Sequence, residues 1–304
     1  MKKLLIVLSL LIVLVGSFFI SYKSHPSSKI LEDQTTKNIS SDETTADEKP
    51  TVPKPAPIYE PVKRVPVFYN TLGSSTKPKI YPDTAMIKWR NEVIKLATKY
   101  PYDLYINGQD QDKLVALTFD DGPDLINTPK IIKILRDNDI QGTFFCIGKQ
   151  IEACKSILKQ AYADGDIIAN HSWSHKDFTT INSAGISNEI TLTENEINKV
   201  IGKRPALIRP PYGAVNDATL NSLTLLNYKS ILWSIDTLDW EQHEVANIVK
   251  NVLENVRPGE IILMHCDGDK QITTQALPQI ISKLKEMGYS FVTVDKLLGL
   301  PAYK

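Results

Sequence analysis

From residue 111 onward, short apolar runs alternate with amphipathic stretches of helical period. The runs KLVALTF, GTFFCI, DIIANHS, ALIRPPY, KSILWSID, EIILMH and SFVTV are rich in β-branched and aromatic residues and predict strands. Between them, TPKIIKILRDND, SNEITLTENEINKVIG, EVANIVKNVLENV and LPQIISKLKEMG carry apolar residues every three or four positions and predict helices. About seven strand–helix units in succession predict an α/β fold, a parallel sheet with helices outside it. An open doubly wound sheet and a closed barrel share this pattern. The polar residues are more selective. Asp120 and Asp121 follow the first run, His171 the third, Arg209 the fourth, Asp236 and Asp239 the fifth, and His265 ends the sixth. All fall at the carboxyl ends of parallel strands, the rim on which both fold types build their sites.

Upstream the pattern changes twice. Lys2 and Lys3 precede an uncharged apolar run from Leu4 to Ile20, close to the length of a bilayer core, with no small-x-small cleavage site after it. Residues 1–23 are therefore expected to form an uncleaved signal anchor, with a cleaved signal as the alternative. The positive amino side and the large polar remainder put the body of the protein outside the cytoplasm. Residues 24–62 are rich in Ser, Thr, Asp, Glu, Lys and Pro, too polar to order themselves, and read as a spacer. In residues 63–110, VKRVPVFYN has the look of an edge strand. There DTAMIKWRNEVIKLATKY places Met86, Trp89, Val93, Ile94 and Ala97 on one stripe of a helix expected to pack on the main domain of residues 111–304.

Charge and cysteine content narrow the function. Lysine plus arginine equals aspartate plus glutamate, 35 against 35, so no net field draws the chain to nucleic acid, and no nucleic-acid partner is expected. The 304 residues accommodate two average domains or one barrel. Cys146, Cys154 and Cys266 are odd in number and lack a CxxC spacing, so buried thiols are favoured over a Cys146–Cys154 bridge.

The rim residues suggest metal chemistry. In LTFDDGPD two like charges stand side by side where a strand stops, although D-G also marks ordinary turns. In NHSWSHKDF, His171 and His175 are four apart, the spacing that puts two imidazoles on one face of a helical turn and, with a carboxylate, makes a three-ligand site with an open position. Beside a divalent cation one aspartate can bind the ion while the other accepts a proton from its water. RPPYG is a proline-stiffened turn after Arg209, DTLDW sets carboxylates beside Trp240, and LMH ends a strand on a candidate proton donor.

TFDDGPD, HSWSH, RPPYG, DTLDW and LMH occur in the order and spacing of the five motifs of the polysaccharide deacetylases, the NodB-homology domain or carbohydrate esterase family 4. The chain resembles that family over about residues 111–298. The resemblance implies a distorted (β/α) barrel of fewer than eight strands. It implies that Asp121, His171 and His175 hold a divalent metal, most simply zinc with cobalt as a second candidate, and that Asp120 is the general base, oriented by Arg209. His265 would be the general acid, held by Asp239. Pro211 and Tyr212 would face the substrate, with the Tyr212 N–H on the oxyanion, and Trp240 and Leu263 would wall the acetyl pocket. Cys266 stands where many relatives carry an aspartate; little consequence is expected, with oxidation sensitivity of a thiol so close to the acid as the alternative. With the anchor and spacer, these parts predict a monomeric, membrane-held hydrolase that removes N-acetyl groups from a cell-wall polysaccharide, peptidoglycan N-acetylglucosamine first. Chitin oligomers, an exopolysaccharide or acetylated xylan are the substrate alternatives. A cyclic-amide hydrolase and a non-catalytic wall-binding protein are the competing roles.

Overall fold

The computed structural model describes residues 68–73, 83–110 and 112–304. The anchor of residues 1–23 and the spacer of residues 24–62 lie outside the described residues. Among the described residues no helix is long and apolar enough to cross a membrane.

Nine strands are described: β1 (Leu104–Tyr105), β2 (Leu114–Asp120), β3 (Thr143–Cys146), β4 (Ile167–Asn170), β5 (Leu207–Ile208), β6 (Lys229–Ile231), β7 (Ile235–Asp236), β8 (Glu260–His265) and β9 (Ser290–Phe291). Every pairing between them is parallel, in the order β1-β6-β5-β4-β3-β2-β8-β7. The first two residues of β2 pair with β9 and its last three with β3. The helices are α1 (Asp83–Lys99), α2 (Thr128–Asp137), α3 (Gly148–Ile151), α4 (Lys155–Ala163), α5 (Ser183–Ile201), α6 (Asp217–Leu225), α7 (Val245–Leu253), α8 (Gln271–Glu286) and α9 (Val294–Leu298).

All seven expected runs contribute strands, but KSILWSID is not one strand. It breaks at Leu232–Ser234 because its neighbours change: β6 pairs with β5, whereas β7 pairs with β8. In the gap, Leu232 N–H donates to the Tyr105 carbonyl and Ser234 N–H to that of Ile261. The stretch 229–236 thus closes the curled sheet on itself, with β1 wedged in where the two halves part. This fits the distorted barrel. The expected edge strand in VKRVPVFYN does not form over residues 68–70. Pairing comes slightly later, where Leu72 bridges Ile235 of β7.

The near-continuous apolar strands follow from burial on both faces. Alternation along β2 sends Val115, Leu117 and Phe119 into the core beneath the outer helices, with Ile131 and Leu135 of α2 and Ile280 and Leu284 of α8. Ala116 faces the opposite core, inside the barrel, with Phe145, Ile231, Ile261 and Leu263. The period of two carries this division to the strand ends. Ile262 and Met264 of β8 go outward, so Leu263 and His265 point in, and Asp120 shares the face of Ala116. The rim chemistry is inward because the strands alternate.

Candidate active site

Asp121 begins the turn after β2 at a φ of 68°, a left-handed conformation that few non-glycine residues adopt. His171 follows β4, and its Nδ1 lies 2.6 Å from the Arg209 carbonyl. A carbonyl only accepts, so Nδ1 carries the proton and Nε2 keeps a free lone pair. His175 is placed by a loop, which corrects the helical turn expected from the four-residue spacing. The cause is local: Ser172 stands at φ 67° and His175 at φ 60°, and side chains satisfy the backbone in place of a helix. Ser172 N–H donates to Asn170 Oδ1, His175 N–H to Ser172 Oγ, and Ser174 donates twice to the buried Glu189 carboxylate.

These turns bring three ligand atoms together within 4.8 Å of one another, one each from Asp121, His171 and His175. Asp121 Oδ1 is 3.3 Å from His171 Nε2 and 3.1 Å from His175 Nε2. It is buried and makes no well-formed hydrogen bond. A buried carboxylate oxygen left without a partner is costly. One oxygen and two imidazole nitrogens converging on such an atom form a donor set that suits a divalent cation. Burial works against the Asp121 charge, but where the two imidazoles are protonated their charge outweighs it and holds the carboxyl well below the usual range.

Asp120 is almost fully buried beside this triad. Its Oδ1 accepts from Arg209 Nη1 at 2.7 Å, and its Oδ2 lies 3.8 Å from His171 Nε2. Arg209 is no surface residue of a proline turn. Wholly buried, its guanidinium also donates to Thr118 Oγ1 and to the Ile231 and Leu232 carbonyls, and it lies 4.2 Å over the Phe145 ring. Partners for four of its five N–H donors, one of them a carboxylate, make a buried guanidinium tolerable.

Across the cleft, His265 Nδ1 is 2.7 Å from Asp239 Oδ1. Asp239 Oδ2 accepts from the His265 N–H at 2.8 Å and from Thr273 Oγ1 at 2.6 Å. Burial alone would lower the His265 pKa, but the Asp239 charge outweighs it and raises the imidazolium to about 10. Burial likewise opposes the Asp239 charge, and His265 reverses that, holding the carboxyl below its ordinary value. Nearby, burial lifts Asp236 to about 6.

The triad, Asp120, Tyr212, Trp240, Leu263 and His265 all line one cleft of about 520 Å³. Pro211 is buried behind the turn, and Arg209 and Asp239 support lining residues from beneath. Tyr212 stands at φ 61° and ψ 6°, its exposed ring edge-on to His175 at 4.4 Å. Ala85, Met86 and Trp89 of α1, with Trp233 and Asp236, complete the lining. The sequence reading placed Asp236 on the rim without a role and missed the other four as site residues. The stripe on α1 marked Met86 and Trp89 as inward-facing, but nothing local says which wall they meet. The three cysteines are free and buried. Cys266 sits outward of the His265 face, its Sγ 3.3 Å from the Asp120 carbonyl, and burial pushes its thiol well above the ordinary value. That speaks against the alternative of oxidation sensitivity, because a shielded, protonated thiol is inert.

A polysaccharide deacetylase profile matches residues 107–231. A peptidoglycan-N-acetylglucosamine deacetylase of Bacillus cereus is 40% identical over 185 residues, 60% of this chain and 67% of that protein. A crystal structure of the Bc1960 peptidoglycan N-acetylglucosamine deacetylase, with 4-naphthalen-1-yl-N-oxidanyl-benzamide bound, superposes with a TM-score of 0.66 at 36% identity. It covers 68% of this chain and 98% of that one. The chitin deacetylase of Colletotrichum lindemuthianum gives 0.62 at 28% identity, over 66% and 95% of the two chains. The chain belongs to the polysaccharide deacetylase family. It is a polysaccharide N-deacetylase, a hydrolase of linear amides.

Proposed function

We propose that the cleft removes the N-acetyl group from N-acetylglucosamine in peptidoglycan, with a divalent cation, zinc before cobalt, held by Asp121, His171 and His175. The observation that carries this reading is the unpartnered Asp121 Oδ1 facing two imidazole nitrogens, beside one carboxylate and opposite one imidazolium. When bound, the cation would polarise the acetamide carbonyl and make water easier to deprotonate. Asp120 takes the proton of that water at Oδ2, since Arg209 occupies Oδ1. The water oxygen adds to the carbonyl carbon, and the Tyr212 N–H stabilises the charge that develops on the carbonyl oxygen. His265 gives a proton to the leaving nitrogen as the C–N bond breaks, and Asp239 holds its ring for that transfer. Acetate and a free amino sugar leave.

The high identity to a Bacillus cereus peptidoglycan-N-acetylglucosamine deacetylase supports the substrate. The apolar run of residues 4–20 and the polar stretch after it support an anchor that holds the enzyme outside the cytoplasmic face, within reach of a wall. Likeness to a chitin deacetylase makes chitin oligomers the second reading. The test is acetate release by the full chain from purified peptidoglycan and from chitin oligomers, each with and without a chelator. Chelator-sensitive release from peptidoglycan is the expected outcome. Release from chitin oligomers alone would replace the substrate, and release untouched by exhaustive chelation would overturn the metal.

A further inference from the structure

The turn that carries Tyr212 is gripped by a helix from outside the segment that the family profile matches. α1 crosses over the turn, and Trp89 Nε1 donates to the Gly213 carbonyl at 3.1 Å. The Trp89 ring stacks on Trp233, centroids 5.2 Å apart. Gly213, at φ 61°, lies between the two indoles: a Cβ there would come within 2.7 Å of the Trp233 ring and 2.8 Å of the Trp89 ring. Only glycine fits, and both consecutive residues of the turn are left-handed. Such a backbone persists only where its surroundings hold it. Pro210 and Pro211 stiffen the turn on its amino side, the Gly213 and Ala214 N–H groups close it onto the Pro210 and Pro211 carbonyls, and the Gly213 carbonyl is held from outside RPPYG by Trp89.

α1 is well placed for the task. Near the cleft, Arg90 Nη2 donates to the Gly73 carbonyl, in the segment whose Leu72 bridges β7. At the far end, Lys99 Nζ and Tyr100 Oη both reach Asp217 Oδ1 at 2.8 Å, at the start of α6, the helix that follows the turn. Val93 and Ala97 seat the middle of α1 in the barrel core. The helix is thus tied near its middle to the segment beside β7 and at its carboxyl end to α6, which follows the RPPYG turn, with its indole N–H on the carbonyl next to Tyr212.

We infer that Trp89 is a positioning residue, which holds the Tyr212 amide where charge develops on the substrate. The inference rests on the oxyanion role proposed above for that amide. A displaced donor loses its effect on the transition state while leaving the ground state alone, because the charge it meets exists only in the transition state.

Trp89→Phe keeps the ring stack and removes the N–H. The expected result is a kcat lower by about tenfold, part of the roughly 10²–10³ that removing an oxyanion donor altogether causes. KM should stay within about twofold and Tm within about 2 °C. Ile87→Ser, on the exposed face of the same helix, should leave all three unchanged. A raised KM at unchanged kcat would make Trp89 a substrate wall and overturn the inference, as would no change at all. The second readout is the Tyr212 amide resonance of the ¹⁵N-labelled full chain, expected to move and to exchange faster with solvent in Trp89→Phe and not in Ile87→Ser. An unmoved resonance overturns the clamp whatever the turnover. A moved resonance in a chain that releases no acetate from any acetylated polymer would keep the clamp and sink the oxyanion reading.

Discussion

The two sides of the cleft are built on opposite principles. On one, Asp121, His171 and His175 are set by left-handed turns and converge on a buried oxygen that makes no hydrogen bond. On the other, His265 ends β8, Asp239 lies in the turn after β7 behind Leu238 at φ 56°, and the two satisfy each other, with Thr273 taking the remaining carboxylate site. A converging set of lone pairs stores unfavourable energy until something positive enters, whereas a finished ion pair is complete within the protein. One side is made to receive, the other to hold a proton ready.

The largest effect should come from breaking the receiving side. Asp121→Asn is expected to lose the bound metal, read by elemental analysis, and to lower kcat by roughly 10³ or more, several kcal/mol of transition-state stabilisation. Asp120→Asn should keep the metal and still lose about 10²–10⁴ in rate. Equal metal loss in both variants would show that the two adjacent carboxylates are not divided in role.

Next in size, Asp239→Asn should lower kcat by about 10² while metal content stays intact, and should move the basic limb of the pH–rate profile to lower pH. The direction follows from the raised His265 pKa, about 10 against an ordinary 6.5: its contribution to stability is full below 6.5 and fades as pH rises through 10. The depressed Asp239 carboxyl contributes above its ordinary 3.8 and loses that only in acid. In urea unfolding of chelated protein, the gap between wild type and Asp239→Asn should therefore be widest near pH 6 and narrow towards pH 10. A gap that widens with pH would contradict the ion pair.

A smaller effect tests how the receiving side is braced. Glu189→Gln weakens the support of the His175 loop, and titration should show metal affinity lower by about tenfold with kcat at saturating metal nearly unchanged. Smallest of all, Thr273→Val removes one hydrogen bond to Asp239. It should destabilise the protein by about 1 kcal/mol and reduce kcat a few-fold, with metal affinity untouched. If metal affinity fell as well, the two sides would be one coupled network.

These differences also separate what could be read early from what could not. The alternation of strands and helices was plain because a strand buried on both faces is written as an apolar run, and KLVALTF became β2 with little shift at either end. The placement of Asp120 and His265 on the inner face follows from a period of two that the sequence displays. Spacing misled at His175, where a four-residue interval matched a helix but Ser172 and Glu189 held a loop. The break in KSILWSID was hidden because nothing in Leu232–Ser234 says that β1, more than a hundred residues earlier, enters there.

By itself the sequence determined the α/β class, the order of its elements, the motifs and the rim on which they stand, because each depends on residues within a turn or a strand of one another. Only the tertiary structure decided that Arg209 lies buried against Asp120, that Thr273 completes Asp239, and that α1 walls the cleft with Met86 and Trp89. These are contacts between segments far apart in the chain. Their partners are chosen by how the sheet closes and which faces remain to be covered, and that choice is made by packing rather than by local pattern.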